Sequence, residues 1–122
     1  MNENTKTEIE NEIQANDIVL YMQGTPVFPQ CGFSASTVGL LNHLGVKFSS
    51  VNVLENDDIR QGIKDYANWP TIPQLYVKGE FVGGCAIIRE MYERSELNEL
   101  MTSKGLEVKS NYSIYSNKTY LE

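Results

Sequence analysis

The chain predicts an α/β fold, a four-stranded mixed sheet flanked by helices on both faces. Three observations predict it. Helical and extended patterning alternate along the chain, in the order α-β-α-β-α-β-β-α. Strand–helix–strand units need a parallel pair joined by a right-handed crossover. Gln74–Val77 and Phe81-Val82 lie on either side of Lys78-Gly79-Glu80, a hairpin signal that adds an antiparallel pair.

Each element has its own signal. Between Thr7 and Gln14, Ile9 and Ile13 stand four apart among charges, which reads as a short amphipathic helix. Ile18-Val19-Leu20-Tyr21-Met22 is continuously apolar with β-branched members, as in a strand buried on both faces. Gly24-Thr25-Pro26-Val27-Phe28-Pro29 is a loop, since two prolines and a glycine oppose regular structure. From Cys31 to Leu44 the residues Val38, Leu41 and Leu44 keep helical spacing, and Gly45 is a suitable stop. Phe48, Val51 and Val53 mark a second strand. Asn56 and Asp57 can cap a third helix that carries Ile59, Ile63 and Tyr66 on one face. Trp69-Pro70-Thr71-Ile72-Pro73 breaks it. After the hairpin, Gly83-Gly84 open a last helix with Ile88, Met91, Leu97 and Leu100. One folded domain is expected over residues 1–106. Residues 107–122, with Tyr112, Tyr115 and Tyr120, read as a loosely held tail or as a segment that docks on a partner or on the domain itself.

Composition excludes several functions. The 122 residues carry 10 Lys and Arg against 16 Asp and Glu, a net charge of −6. That balance opposes general nucleic-acid binding and attraction to anionic lipid. No apolar run approaches the roughly 20 residues that span a bilayer. The first seventeen residues hold five acids and one Lys, unlike a basic targeting presequence, so a cytoplasmic location is expected. Two cysteines, Cys31 and Cys85, do not make a disulfide scaffold. With one histidine, His43, they cannot complete a four-ligand Cys/His zinc site. His43 itself reads as a surface residue near a helix end.

Cys31 is the residue that points to chemistry. It follows a proline-containing loop at the end of a buried strand and precedes a helix. Helix starts carry unpaired N–H groups and partial positive charge, which favour a thiolate as nucleophile or metal ligand. A small buried hydrophobe is the plain alternative. Cys31-Gly32-Phe33-Ser34 has C-x-x-C spacing with Ser in the second place. Ser34 can only donate a hydrogen bond, so an outside thiol must release any mixed disulfide at Cys31.

Gly24-Thr25-Pro26, Pro29-Gln30-Cys31-Gly32-Phe33-Ser34, Trp69-Pro70-Thr71-Ile72-Pro73-Gln74 and Gly83-Gly84-Cys85 together resemble the monothiol glutaredoxins of the CGFS type. The resemblance runs from about Thr7 to Met101. It implies a thioredoxin-like fold and a cis Pro73 beside Cys31. It also implies glutathione as ligand, paired with the backbone of Thr71 and Ile72. Gly84, Cys85 and Ala86 would meet the γ-glutamyl end, and Arg60 would clamp the glycine carboxylate. Alternatives stay open: a plain turn at Gly83-Gly84, a solvated helix face for Arg60, an ordinary trans proline at Pro73. Two positions depart from the family. Gln23 stands where a Lys is usual and Ala86 where an Asp is usual, so weaker glutathione binding is expected. Cys85 packs as a small residue beneath the ligand or resolves a disulfide with Cys31. Tyr21, Phe33 and Trp69 are candidates to wall the site.

A [2Fe–2S] cluster needs four ligands. The resemblance implies a homodimer in which two Cys31 thiolates and two glutathiones supply them, with BolA-like proteins and iron–sulfur apoproteins as partners. Three functions follow: a cluster carrier through Cys31, a glutathione-dependent thiol–disulfide oxidoreductase (deglutathionylation) with Cys31 as nucleophile, and an inactive adaptor.

Overall fold

The structure is a computed structural model, and it describes residues 1–109. Tyr112, Tyr115 and Tyr120 lie outside the described residues. The elements are α1 (Glu3–Ala15), β1 (Ile18–Met22), α2 (Gly32–Leu44), β2 (Ser49–Asn52), a 3₁₀ turn (Val53–Glu55), α3 (Asp57–Ala67), β3 (Gln74–Val77), β4 (Glu80–Gly83), α4 (Cys85–Glu93) and α5 (Glu96–Ser103). The sheet order is β2-β1-β3-β4. β1 and β2 pair in parallel, with Leu20 opposite Ser50. β1 and β3 pair antiparallel, with Leu20 opposite Leu75, and β3 and β4 form the expected hairpin.

β1 is the central strand, and all five of its residues are buried. Its side chains alternate between two cores, as a strand's period of two requires. Ile18, Leu20 and Met22 pack with Val38, Leu41 and Leu44 of α2, Ile88 of α4, and Leu97 and Met101 of α5. Val19 and Tyr21 face the other way, against Ile9 and Ile13 of α1 and Ile59 and Ile63 of α3.

Three boundaries differ from expectation, each for a local reason. α1 begins four residues earlier than Thr7. Asn2 caps it, its Oδ1 accepting from the Thr5 N–H at 2.8 Å. The second strand stops before Val53. The Asn52 Oδ1 accepts from the N–H groups of Leu54 (3.0 Å) and Gly24 (2.9 Å), and this turns the chain into the 3₁₀ segment. The last helix is two helices, separated at Arg94 and at Ser95 in the left-handed region (φ 62°). A straight helix at about 100° per residue would place Leu97 half a turn away from Ile88. The break lets both enter one core, where each is fully buried.

α2 ends at Gly45 (φ 76°), whose N–H donates to Leu41 and Asn42 carbonyls. Leu106 and Val108 continue onto the same core. The Lys109 N–H donates to the Leu44 carbonyl at 3.0 Å, so the chain is held at the far end of α2 up to that residue.

Candidate functional site

Three segments converge at one end of the sheet around a cleft of about 680 Å³. The first runs from β1 into α2. Gly24 adopts φ 89°, and a Cβ there would lie 2.5 Å from the Phe28 carbonyl oxygen, so only glycine fits. The loop is tied back on itself: Thr25 N–H donates to Phe28 O, Phe28 N–H to Thr25 Oγ1, and Gln30 N–H to Gln23 O. Cys31 follows as the N-cap of α2, in extended conformation. Its carbonyl accepts from the Ala35 N–H at 2.9 Å, and its thiol makes no cap bond. The sulfur therefore sits at the helix start, partly exposed and free to react. Ser34 anchors this segment. It is fully buried, and its Oγ accepts from the Gln23 N–H at 3.1 Å, locking the loop to α2.

The second segment is Trp69–Pro73, and the Ile72–Pro73 bond is cis. A side chain that the sequence did not single out holds this wall. Gln74 is fully buried. Its Nε2 donates to the carbonyls of Trp69 and Thr71, both at 3.2 Å, and its Oε1 accepts from the Tyr76 hydroxyl at 2.9 Å. Buried amide groups need such partners, and here the need fixes the backbone that faces the cleft. Tyr76 packs edge-on to Tyr21 and tilted against Phe81, which in turn contacts Trp69. Burial raises the Tyr21 and Tyr76 hydroxyls above the ordinary tyrosine range, helped by nearby Glu12 for Tyr21 and by Tyr66 for Tyr76.

The third segment is the turn from β4 into α4. Gly84 caps α4, and a Cβ there would lie 3.1 Å from the Trp69 Nε1 and 3.4 Å from the Pro73 carbonyl oxygen. The glycine thus brings the two walls together. Cys85 is the first residue of α4 and is buried, and Ala86 and Ile87 continue the rim. The Arg89 Nη2 donates to Ser36 Oγ at 3.2 Å and lies 3.9 Å from Cys85 Sγ.

Of the expected site residues, the fold brings Gln23, Cys31, Thr71, Ile72, Pro73, Gly84, Cys85 and Ala86 to the cleft. Phe33 and Trp69 also line it, whereas Tyr21 belongs to the core. Arg60 lies on the exposed side of α3, outside the lining, and Lys64 one turn on is the α3 residue that reaches the cleft. Helical spacing from Arg60 was the available signal for Lys64, and four-residue spacing from Cys85 was the signal for Arg89. His43 is exposed at the end of α2, edge-on to Tyr92. Among the described residues no three His, Cys, Asp or Glu side chains form a metal-holding group. No described helix is long and apolar enough to cross a membrane.

Residues 18–82 match the family model for glutaredoxin. The chain is 52% identical over 101 residues to a Synechocystis protein named uncharacterized monothiol glutaredoxin ycf64-like, covering 83% of this chain and 94% of that one. It is 49% identical over 106 residues to glutaredoxin 4 of Escherichia coli, covering 87% and 92%. It is 51% identical over 100 residues to a mitochondrial monothiol glutaredoxin-5 of Lachancea kluyveri, covering 80% and 70%. The solution structure of reduced poplar apo GrxS14 superposes with a TM-score of 0.74 at 48% identity, covering 82% of this chain and 92% of that one. A buckwheat glutaredoxin solved in complex with glutathione, 18% identical, shares the fold with a TM-score of 0.75, covering 84% and 92%.

Proposed function

The chain belongs to the glutaredoxin family, in its thioredoxin-like fold and among its monothiol members, and from that premise we propose that it binds and hands on a [2Fe–2S] cluster with the help of glutathione. One observation carries the reading. Cys31 presents a partly exposed thiol at the start of α2, while the position three residues on is a serine whose hydroxyl is buried and already bonded. The thiol has no partner thiol at the C-x-x-C position, so it stays available as a ligand.

A cluster of this kind takes four ligands, commonly thiolates. Each subunit supplies Cys31, and a bound glutathione supplies a second sulfur, so two subunits complete the set. Thr71 and the wall held by Gln74 receive the tripeptide backbone, and Gly84 lets it lie close to the start of α4. Gln23 is a further contact in this reading, and Arg60, outside the lining on α3, would have to swing toward the cleft to clamp the glycine carboxylate. Half of the sulfur ligands come from a diffusible molecule, which makes the cluster transferable to iron–sulfur apoproteins, with a BolA-like protein as an alternative second subunit. The two free cysteines suit a reducing cytoplasm.

A second reading uses the same partly exposed thiol at the start of α2 as a nucleophile. In it the Cys31 thiolate attacks the glutathione sulfur of a mixed disulfide, and the substrate thiolate leaves. A second glutathione thiolate then releases Cys31 and departs as oxidised glutathione. Anaerobic reconstitution with iron, sulfide and glutathione tests the first reading. Visible absorption and a dimer by native mass spectrometry are expected for wild type and lost in Cys31→Ser. No chromophore in the wild type would leave the oxidoreductase and the inactive adaptor, which a mixed-disulfide turnover assay separates.

A further inference from the structure

The chain carries a net charge of −6, yet the only charged side chains lining the cleft among the described residues are two cations, Lys64 and Arg89. Neither belongs to a salt bridge among the described residues, although Lys78, Arg94 and Lys104 do. Among the described residues Arg89 donates hydrogen bonds to Ser36 Oγ and Cys85 Sγ, both through Nη2. Among these residues it forms no ion pair, and Nη2 is the one nitrogen of its guanidinium that donates a hydrogen bond. Arg89 lies three residues beyond Ala86 and four beyond Cys85, on the face of α4 that borders the cleft.

We infer that Arg89 sets ligand choice at this end: the cleft takes a thiol whose outer end bears a carboxylate without an ammonium group at least as well as it takes glutathione. The inference rests on glutathione-type thiols binding in this cleft. The γ-glutamyl residue of glutathione, the end expected beside Ala86, carries a carboxylate and an ammonium on one carbon. A guanidinium rewards the carboxylate with a charge-assisted bond. The ammonium finds no carboxylate there, and Arg89 repels it.

The probes are reduced glutathione and glutaryl-cysteinyl-glycine, which has hydrogen in place of the amino group. Binding to the reduced protein is read from the fluorescence of the single tryptophan, Trp69, which lines the same cleft. The desamino peptide should bind equally or up to about fivefold more tightly, the scale of a partly exposed charge contact. Arg89→Glu and, separately, Ala86→Asp should each turn the preference toward glutathione. Both positions are exposed, so both variants should fold. A wild-type preference for glutathione of threefold or more overturns the inference and leaves the glutathione reading standing, as does an unchanged preference in both variants. Failure of both peptides to bind overturns both.

Discussion

The two faces of the sheet do different work. The face toward α2, α4 and α5 is aliphatic, built on Leu20, Leu41, Leu75, Ile88 and Leu97. The face toward α1 and α3 adds Tyr21 and Tyr76 to its isoleucines, with Tyr66 and Phe81 packed against them. Aliphatic packing is strong but non-directional. It fastens α2 and α4, whose first turns carry the two sulfurs. The aromatic face ends in a directional chain, from the Tyr76 hydroxyl through Gln74 to the carbonyls of Trp69 and Thr71. Both faces are packed tightly, and the shape of the cleft wall depends on the second.

The strongest way to break this contrast is Leu41→Ala. Leu41 is fully buried, so the cavity should cost about 2–5 kcal/mol. Denaturant unfolding should show the loss, while glutathione affinity of the folded variant stays within about twofold. A large fall in affinity would show that the aliphatic face also shapes the cleft. Tyr76→Phe makes the opposite test. It removes the partner of the buried Gln74 Oε1, at a cost of about 1–3 kcal/mol. Its affinity for glutathione should drop several-fold, because the Trp69–Pro73 wall loses its anchor. Unchanged affinity would mean that Gln74 holds the wall without Tyr76.

Alkaline pH gives a third handle. Both buried tyrosines hold their protons more tightly folded than unfolded, burial being the main cause. A raised folded-state value means full stability below the ordinary value of 10.0 and a decline as pH rises above it. Each tyrosine should contribute a slope of about 1.4 kcal/mol per pH unit. Melting temperature followed from pH 8 to 12 should fall only above about pH 10, and Tyr76→Phe should shallow the fall.

Much of this was legible in the residues themselves. The unbroken apolar run of β1 announced a strand buried on both faces, and the loop–Cys31–helix order placed the thiol at a helix start. The split between α4 and α5 was hidden because Ile88 and Leu97 each fit a helical period locally, and only their shared core requires a break. The end of β2 depended on an Asn52 side chain reaching a loop far away in sequence. Gln74 gave no sign of its role, since a polar residue beside Pro73 reads as a strand edge until its partners are known. The α3 cation at the cleft was likewise a matter of helical phase: Arg60 and Lys64 share a face, and only the docking of α3 decides which reaches.

Lys109 is fastened to the last carbonyl of α2. The helix has 13 residues, so this anchor lies about 20 Å along its axis from Cys31. A tether attached at Lys109 would present the molecule to a surface with the sulfur turned outward. Immobilised in that orientation, the protein would keep its cleft open to a second molecule without the support crowding the encounter.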